Sequence, residues 1–294
     1  MSTVDACATS GVERPPLPIK AATVQRARLS FAAILTGITL MIMQAAAAES
    51  ATTRVSNGHA ASSATIGGGK FHSVLPTGTD RKSVKIAPFR LDRTPVTNAE
   101  FLEFVRTHEE WQRNRVVAIF ADGQYLQSWS DSLVPGPATQ LPQPVTSVSW
   151  FAARAYCESQ GKRLPSWYEW EYAAAADELV ADARRDVAWQ QRILDWYSHP
   201  SGTQLSRVAS QAPNLYGVYD LHGLVWEWVD DFNALMISGD DRARGDTDFL
   251  KFCGAGALAL ENREEYAVAM RIALLSSLQA RDTTGNLGFR CASN

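Results

Sequence analysis

Three kinds of side chain here have chemistry to offer, and spacing limits each of them. Cys157, Cys253 and Cys291 lie beyond the N-terminal leader, so an exported chain would form one disulfide and keep one thiol. Oxidising a thiol with molecular oxygen needs a metal, and copper(I) favours soft thiolates. One leftover sulfur does not make a thiolate pair. Methionine offers no substitute: only Met236 and Met270 follow the leader, with no Met-rich or Cys-x-x-Cys sequence. His59, His72, His108, His199 and His222 stand at no spacing that forms a facial triad for iron. Only Asp220 and His222 sit close together, and His222 reads as a loop or groove residue. The third kind is tryptophan. Trp150, Trp167, Trp170, Trp226 and Trp228 are core candidates first, and binding-surface candidates where one edge stays wet. The acidic pairs Asp230-Asp231 and Asp240-Asp241 read as solvated loop, with a groove rim as the sharper alternative.

These residues need elements to position them. Thr65 to Pro76 and Lys82 to Leu91 alternate apolar and polar residues around turn formers, which predicts strands, the second with Val84, Ile86 and Phe89 on one face. Thr97-Asn-Ala-Glu100 is a capping-box pattern opening a helix whose buried stripe is Phe101, Leu102, Phe104 and Val105. Pro135, Pro137, Pro142 and Pro144 break Arg115–Pro144 into loop. Ser149 caps a helix over Trp150–Gln160, and Gly161 fits its stop. A second capping box, Ser166 to Glu169, opens the helix of Trp170, Glu171 and the Ala173–Ala176 run. Asp182–Trp196 is a third, amphipathic helix. Gly217–Trp228 and Gly254–Cys291 read as short strands and long loops.

The chain has 294 residues, 46% hydrophobic and 20% charged, ample for a sizeable core. Lys20, Arg26 and Arg28 precede an apolar run from Leu29 to Met43, and Ala46–Ala48 offers small residues for cleavage. Residues 1–48 are thus expected to be a signal peptide for export to the periplasm, an uncleaved anchor being the alternative. The long stretch before the apolar run suggests that translation starts downstream of Met1. The run is too short for a membrane span of about 20 residues. Residues 49–63 are Ala/Ser/Thr-rich and read as a flexible tether, leaving 64–294 as one domain. Removing the leader's four Lys/Arg and two Asp/Glu leaves 24 basic and 29 acidic residues. That net −5 argues against nucleic acid or anionic membrane as the main partner.

Four segments carry a resemblance: Gly161-Lys-Arg-Leu-Pro-Ser-Trp-Tyr-Glu-Trp-Glu-Tyr172, Asp220-Leu-His-Gly-Leu-Val-Trp-Glu-Trp-Val229, Cys253-Gly-Ala-Gly256 and Asn286-Leu-Gly-Phe-Arg-Cys-Ala292. In order and spacing they resemble the formylglycine-generating enzyme (sulfatase-modifying factor) family, and Val96-Thr-Asn-Ala-Glu-Phe101 matches a further hallmark. The resemblance implies an α+β fold related to C-type lectins, with little regular secondary structure. It implies a disulfide between Cys157 and Cys291. A second family disulfide would join the positions of Ala174 and Ile272, both apolar here, which leaves Cys253 as a possible reactive thiol. It also implies a structural calcium site from Asp220, Gly223, Val225 and Glu227, with side-chain oxygens from Asp220 and Glu227 and carbonyls from the other two; calcium takes six to eight such oxygens. A second family calcium site falls in a stretch, Trp196–Pro213, too short to assign.

The enzymes of this family place two copper-binding cysteines just after a Gly-Gly-Ser. Laid out without gaps, this sequence has Ala259 and Glu264 there, and Leu224 replaces the family's asparagine near the groove. No catalytic residue is therefore expected, nor a copper cofactor. Non-haem-iron branches add a His-rich helical domain, which the histidines here do not match. The chain is most similar to a subgroup from denitrifying bacteria that accompanies copper nitrite reductase, sharing Ala87-Pro-Phe-Arg-Leu-Asp-Arg-Thr-Pro-Val-Thr-Asn98, Gly223-Leu-Val-Trp-Glu-Trp-Val-Asp-Asp-Phe-Asn233 and Lys251-Phe-Cys-Gly-Ala-Gly-Ala-Leu258. The expectation is an exported, non-catalytic accessory protein that binds or helps mature a protein partner such as that reductase. The alternative is a divergent metal-dependent thiol oxidase or formylglycine-generating-type enzyme. A glycan-binding module, by kinship with lectins, has no motif behind it.

Overall fold

Short alternating segments make short strands. β1 (Ser63–Ile66) and β4 (Phe89–Asp92) pair antiparallel, with Ser63 opposite Asp92, and β9 (Ala292–Ser293) joins the other side of β4. β2 (Gly69–Phe71) pairs with β3 (Val84–Ile86). The second expected strand thus divides at Ala87-Pro88, each half taking a different partner. The molecule is known here from a computed structural model that describes residues 63–74, 83–137, 139–198, 205–234 and 266–294. The expected leader and most of the tether lie outside the described residues.

Helix starts follow the capping chemistry. α1 (Asn98–Thr107) and α3 (Trp167–Ala174) each open with a complete capping box, Thr97 with Glu100 and Ser166 with Glu169. α2 (Trp150–Ser159) is capped by Ser149, and Gly161, at φ 65°, ends that turn in the left-handed region. α4 (Val187–Ser198) begins five residues later than expected from the periodicity. Asp182 instead holds Arg184 at 2.8 Å, while Asp186 accepts the Trp189 amide at 2.8 Å and serves as the cap.

The reading of 254–291 as strands and loops is corrected: α5 (Tyr266–Ser276) is a helix. Val268, Ile272 and Leu275 are buried at helical spacing, on a segment so apolar that periodicity gives little contrast. Two further pairs, β5 (Trp129–Asp131) with β6 (Val134–Pro135), and β7 (Trp226–Glu227) with β8 (Leu287–Gly288), complete the sheets; the β7–β8 pair is parallel.

The architecture is α+β, small sheets around helices, with modest regular structure. One aromatic core joins Phe101, Tyr156 and Phe289 at ring separations of 5.3–6.1 Å. Cys157 and Cys291 form a disulfide that ties α2 to the strand end, while Ala174 and Ile272 are both buried in the same core. Glu171 on α3 accepts from the Val74 amide (2.8 Å), the Trp167 indole (2.9 Å) and Ser73, pinning the N-terminal strands to α3. Among the described residues, no helix is long and apolar enough to cross a membrane.

Candidate functional site

The segment 217–227 crosses between α3, α4 and α5 and carries most of the sequence's candidates. Its path needs left-handed backbone at Gly217 (φ 74°), Asp220 (φ 59°) and Gly223 (φ 95°). Aspartate tolerates that region better than most residues because its short side chain bonds locally. Asp220 does so, taking the Ala209 amide on Oδ2 at 2.6 Å.

Parallel pairing of β7 with β8 sets Glu227 near Arg290, and both are fully buried. Arg290 Nε donates to both Glu227 oxygens at 3.0 and 2.9 Å, and Nη2 donates to Oε1 at 2.7 Å. The Trp170 indole adds a bond to Oε2 at 2.8 Å. Remaining guanidinium protons go to the carbonyls of Asp92 (3.0 Å), Arg93 (3.2 Å) and Tyr219 (2.8 Å). A second guanidinium, Arg271, lies 3.5 Å from the Trp170 ring centre and donates to the Glu227 carbonyl. Glu227 and Arg290 thus neutralise one another, as a buried charge requires.

The resemblance gives calcium the carboxylates of Asp220 and Glu227 and the carbonyls of Gly223 and Val225. As held here they do not fit that ion. Both Glu227 oxygens are occupied by Arg290, so a divalent cation would have to share the carboxylate with a guanidinium. Among the described residues, no three His, Cys, Asp or Glu side chains are grouped to hold a metal ion.

His222 is a groove residue whose ring sits between two indoles, 5.7 Å from Trp170 and 5.4 Å from Trp189. Its Nε2 donates to the Ala174 carbonyl at 2.9 Å, which fixes the tautomer. Desolvation holds the imidazole down to about 4, with the Arg271 and Arg290 charges adding to it and the Ala174 bond and Glu227 opposing. Desolvation pushes the Asp220 carboxyl above the usual range, against the Ala209 bond and Arg290, and Glu227 raises it further. Both residues line a cavity of about 240 Å³, whose other walls include Trp189, Ile193 and Trp196 from α4.

The tryptophans divide. Trp167, Trp170 and Trp228 are core, with indole N–H groups bonded to Glu171, Glu227 and the Val148 carbonyl. Trp150 and Trp226 keep an edge in solvent. Asp231 is not a simple solvated residue: it takes the Trp167 amide at 2.7 Å. Cys253, Ala259, Glu264 and Asp240-Asp241 lie outside the described residues.

Arg290, Arg271 and Trp189 are the site residues that sequence reasoning passed over. A lone arginine inside the apolar run Tyr266–Ser276 was a usable signal, since a buried guanidinium demands a partner. Trp189 carried none beyond helical periodicity.

Comparison with known proteins defines the class to which this fold belongs. Residues 46–294 match the sulfatase-modifying factor enzyme 1-like domain, and the chain belongs to that family. It is 30% identical over 257 residues to the formylglycine-generating enzyme of Streptomyces coelicolor, covering 72% of this chain and 80% of the relative. It is equally 30% identical, over 279 residues, to the inactive C-alpha-formylglycine-generating enzyme 2 of Bos taurus, covering 81% of this chain and 89% of the relative. Among solved structures, PvdO from Pseudomonas aeruginosa aligns with 79% of this chain and 94% of its own at 18% identity and a TM-score of 0.43.

Proposed function

We propose that this chain is an exported, non-catalytic member of its family that binds a protein partner and helps it mature, copper nitrite reductase being the specific candidate. The reading rests on the ungapped layout of the resemblance, which puts Ala259 and Glu264 at the positions of the family's two copper-binding cysteines. Alanine offers a metal nothing, and a carboxylate is a hard ligand poorly matched to copper(I). The retained scaffold supports a role beyond chemistry, since the core and the capping boxes are complete. A relative of equal identity is named as inactive, so loss of activity on this scaffold has a precedent. The subgroup phrases around Asp92, Trp226 and Cys253 motivate the choice of reductase.

The test mixes the purified mature chain with copper nitrite reductase and reads binding by calorimetry and cross-linking. A saturable complex, with no oxygen uptake when a cysteine-containing peptide and copper are added, is the expected result. Absence of any complex removes the reductase from the proposal. Copper-dependent oxygen uptake abolished by Cys253→Ala would instead install the alternative, a divergent thiol oxidase.

A further inference from the structure

The cavity beside α4 plays no part in the partner reading, and its polar atoms are unevenly satisfied. Glu178 is held by Arg192 at 2.9 and 3.2 Å. Asp177 accepts the amides of Leu179 and Val180, each at 2.7 Å. Asn214 uses both ends of its amide, donating to the Ala173 carbonyl and accepting from Tyr216 and Val218. Both amides at Asp177 go to Oδ1, so its Oδ2 is left over among the described residues, and two further acceptors join it. Asp220 spends only Oδ2, on Ala209, and Oδ1 has no hydrogen-bond partner. His222 spends Nε2–H on the Ala174 carbonyl, so the neutral ring keeps the lone pair of Nδ1. None of the three leftover atoms is sealed from solvent, and all three residues line the cavity.

The surroundings restrict what would satisfy these atoms. Three carboxylates (Asp177, Glu178, Asp220) face one guanidinium (Arg192), so the lining is net anionic and repels anions. Ser206, Ser210 and Gln211 add neutral donors to the lining, and the unspent acceptors together with the excess negative charge call for a cationic donor. A metal ion is poorly served, because no third His, Cys, Asp or Glu joins the pair among the described residues. The indole rings of Trp189 and Trp196, beside Ile193 in the lining, instead suit an alkyl stem and an organic cation.

We propose that this cavity binds an organic cation bearing N–H donors, an alkylammonium or alkylguanidinium group, which donates to Asp220 Oδ1 and His222 Nδ1 with its stem against Trp189 and Trp196. The chemistry is shared by a free amine and by a lysine or arginine side chain of another protein.

Calorimetric titration of the full chain with agmatine, n-butylamine and a lysine-containing tripeptide amide tests it, with tetramethylammonium and n-butanol as controls. The expected result is saturable binding of the N–H cations. Loss of one hydrogen bond to a charged group, in Asp220→Asn or His222→Phe, should weaken it about 10- to 100-fold. Tetramethylammonium, with no N–H, should bind at least about tenfold more weakly on the same grounds. Thermal melts and Trp196→Leu guard against misfolded variants: a folded Trp196→Leu that also binds weakly supports the assignment. Tighter binding of the tripeptide than of agmatine assigns the ligand to a protein side chain, and the reverse to a free amine. No saturable binding by any N–H cation, equal binding of n-butanol, or zinc displacing agmatine at lower concentration overturns the proposal.

Discussion

Glu227→Gln is the substitution whose consequence the structure specifies most fully. Glu227 and Arg290 are both at 0% exposure, so Arg290 has no water to turn to when its counter-charge is removed. Breaking one side of a buried ion pair costs about 3–5 kcal/mol, because the survivor is an uncompensated charge in a poorly polarisable interior. Glutamine adds a second fault. Oε1 receives two Arg290 bonds, while Oε2 receives Arg290 and the Trp170 indole, so every contact is a donor facing an acceptor. An amide must turn its NH2 toward one of those sets, setting donor against donor. Three carbonyl bonds from Arg290 survive, which keeps the cost within that range. Urea unfolding followed by tryptophan fluorescence should show a loss of about 3–5 kcal/mol. At about 2–4 °C per kcal/mol for a domain of this size, the midpoint of melting falls by roughly 6–20 °C. Replacing both partners, Glu227→Gln with Arg290→Met, should recover part of that loss, since the Arg290 charge leaves with its partner. A single-variant loss below about 1 kcal/mol would show that the guanidinium is not dependent on Glu227 and would refute the reasoning.

Further tests address other parts of the molecule. Reducing the Cys157–Cys291 bridge, or replacing both cysteines by serine, frees a loop of 134 residues; the chain-entropy model sets the loss at about 5 kcal/mol, and an unchanged urea midpoint under dithiothreitol would count against the bond. Chelation by EDTA should leave the melting curve in place, since Glu227 is already held by Arg290; a drop matching that of Glu227→Gln would place calcium there. Acid should destabilise through His222: its imidazole is neutral in the fold down to about 4, against an unfolded value near 6.5, so its contribution is present above pH 6.5 and is lost as pH falls toward 4. The difference is worth about 3 kcal/mol, and a stability–pH curve no flatter in His222→Gln between those limits would contradict it. Thr97→Ala removes the acceptor for the Glu100 amide and should cost about 1 kcal/mol in urea.

Local chemistry made part of this structure legible. The capping boxes at Thr97 and Ser166 are complete within four residues, so nothing distant was needed to read the starts of α1 and α3. The Cys157–Cys291 bond was legible only through the family resemblance, because three cysteines alone leave the pairing open. What stayed hidden depends on long-range contact or on weak contrast. The α5 helix has apolar residues on nearly every face, so the helical period carries little amplitude, and Arg271 alone broke the run. The late start of α4 turned on which of two aspartates, Asp182 or Asp186, reached a free helix amide, and Arg184 decided it by claiming the first.

The calcium expectation shows how a residue pattern can be read correctly and still misdirect. Asp220 and Glu227 do lie close enough for the charge of one to raise the pKa of the other. Two carboxylates in a desolvated turn must be neutralised, and sequence spacing cannot say whether a metal or an arginine does it. Arg290 lies 63 residues beyond Glu227 and reaches it only because β7 and β8 pair in parallel. That pairing leaves Glu227 saturated but gives Asp220 Oδ1 nothing. Asp220 lines the α4 cavity together with His222, whose second nitrogen is equally idle. An arginine that satisfies one carboxylate of the pair thereby leaves the other free for a cation from outside.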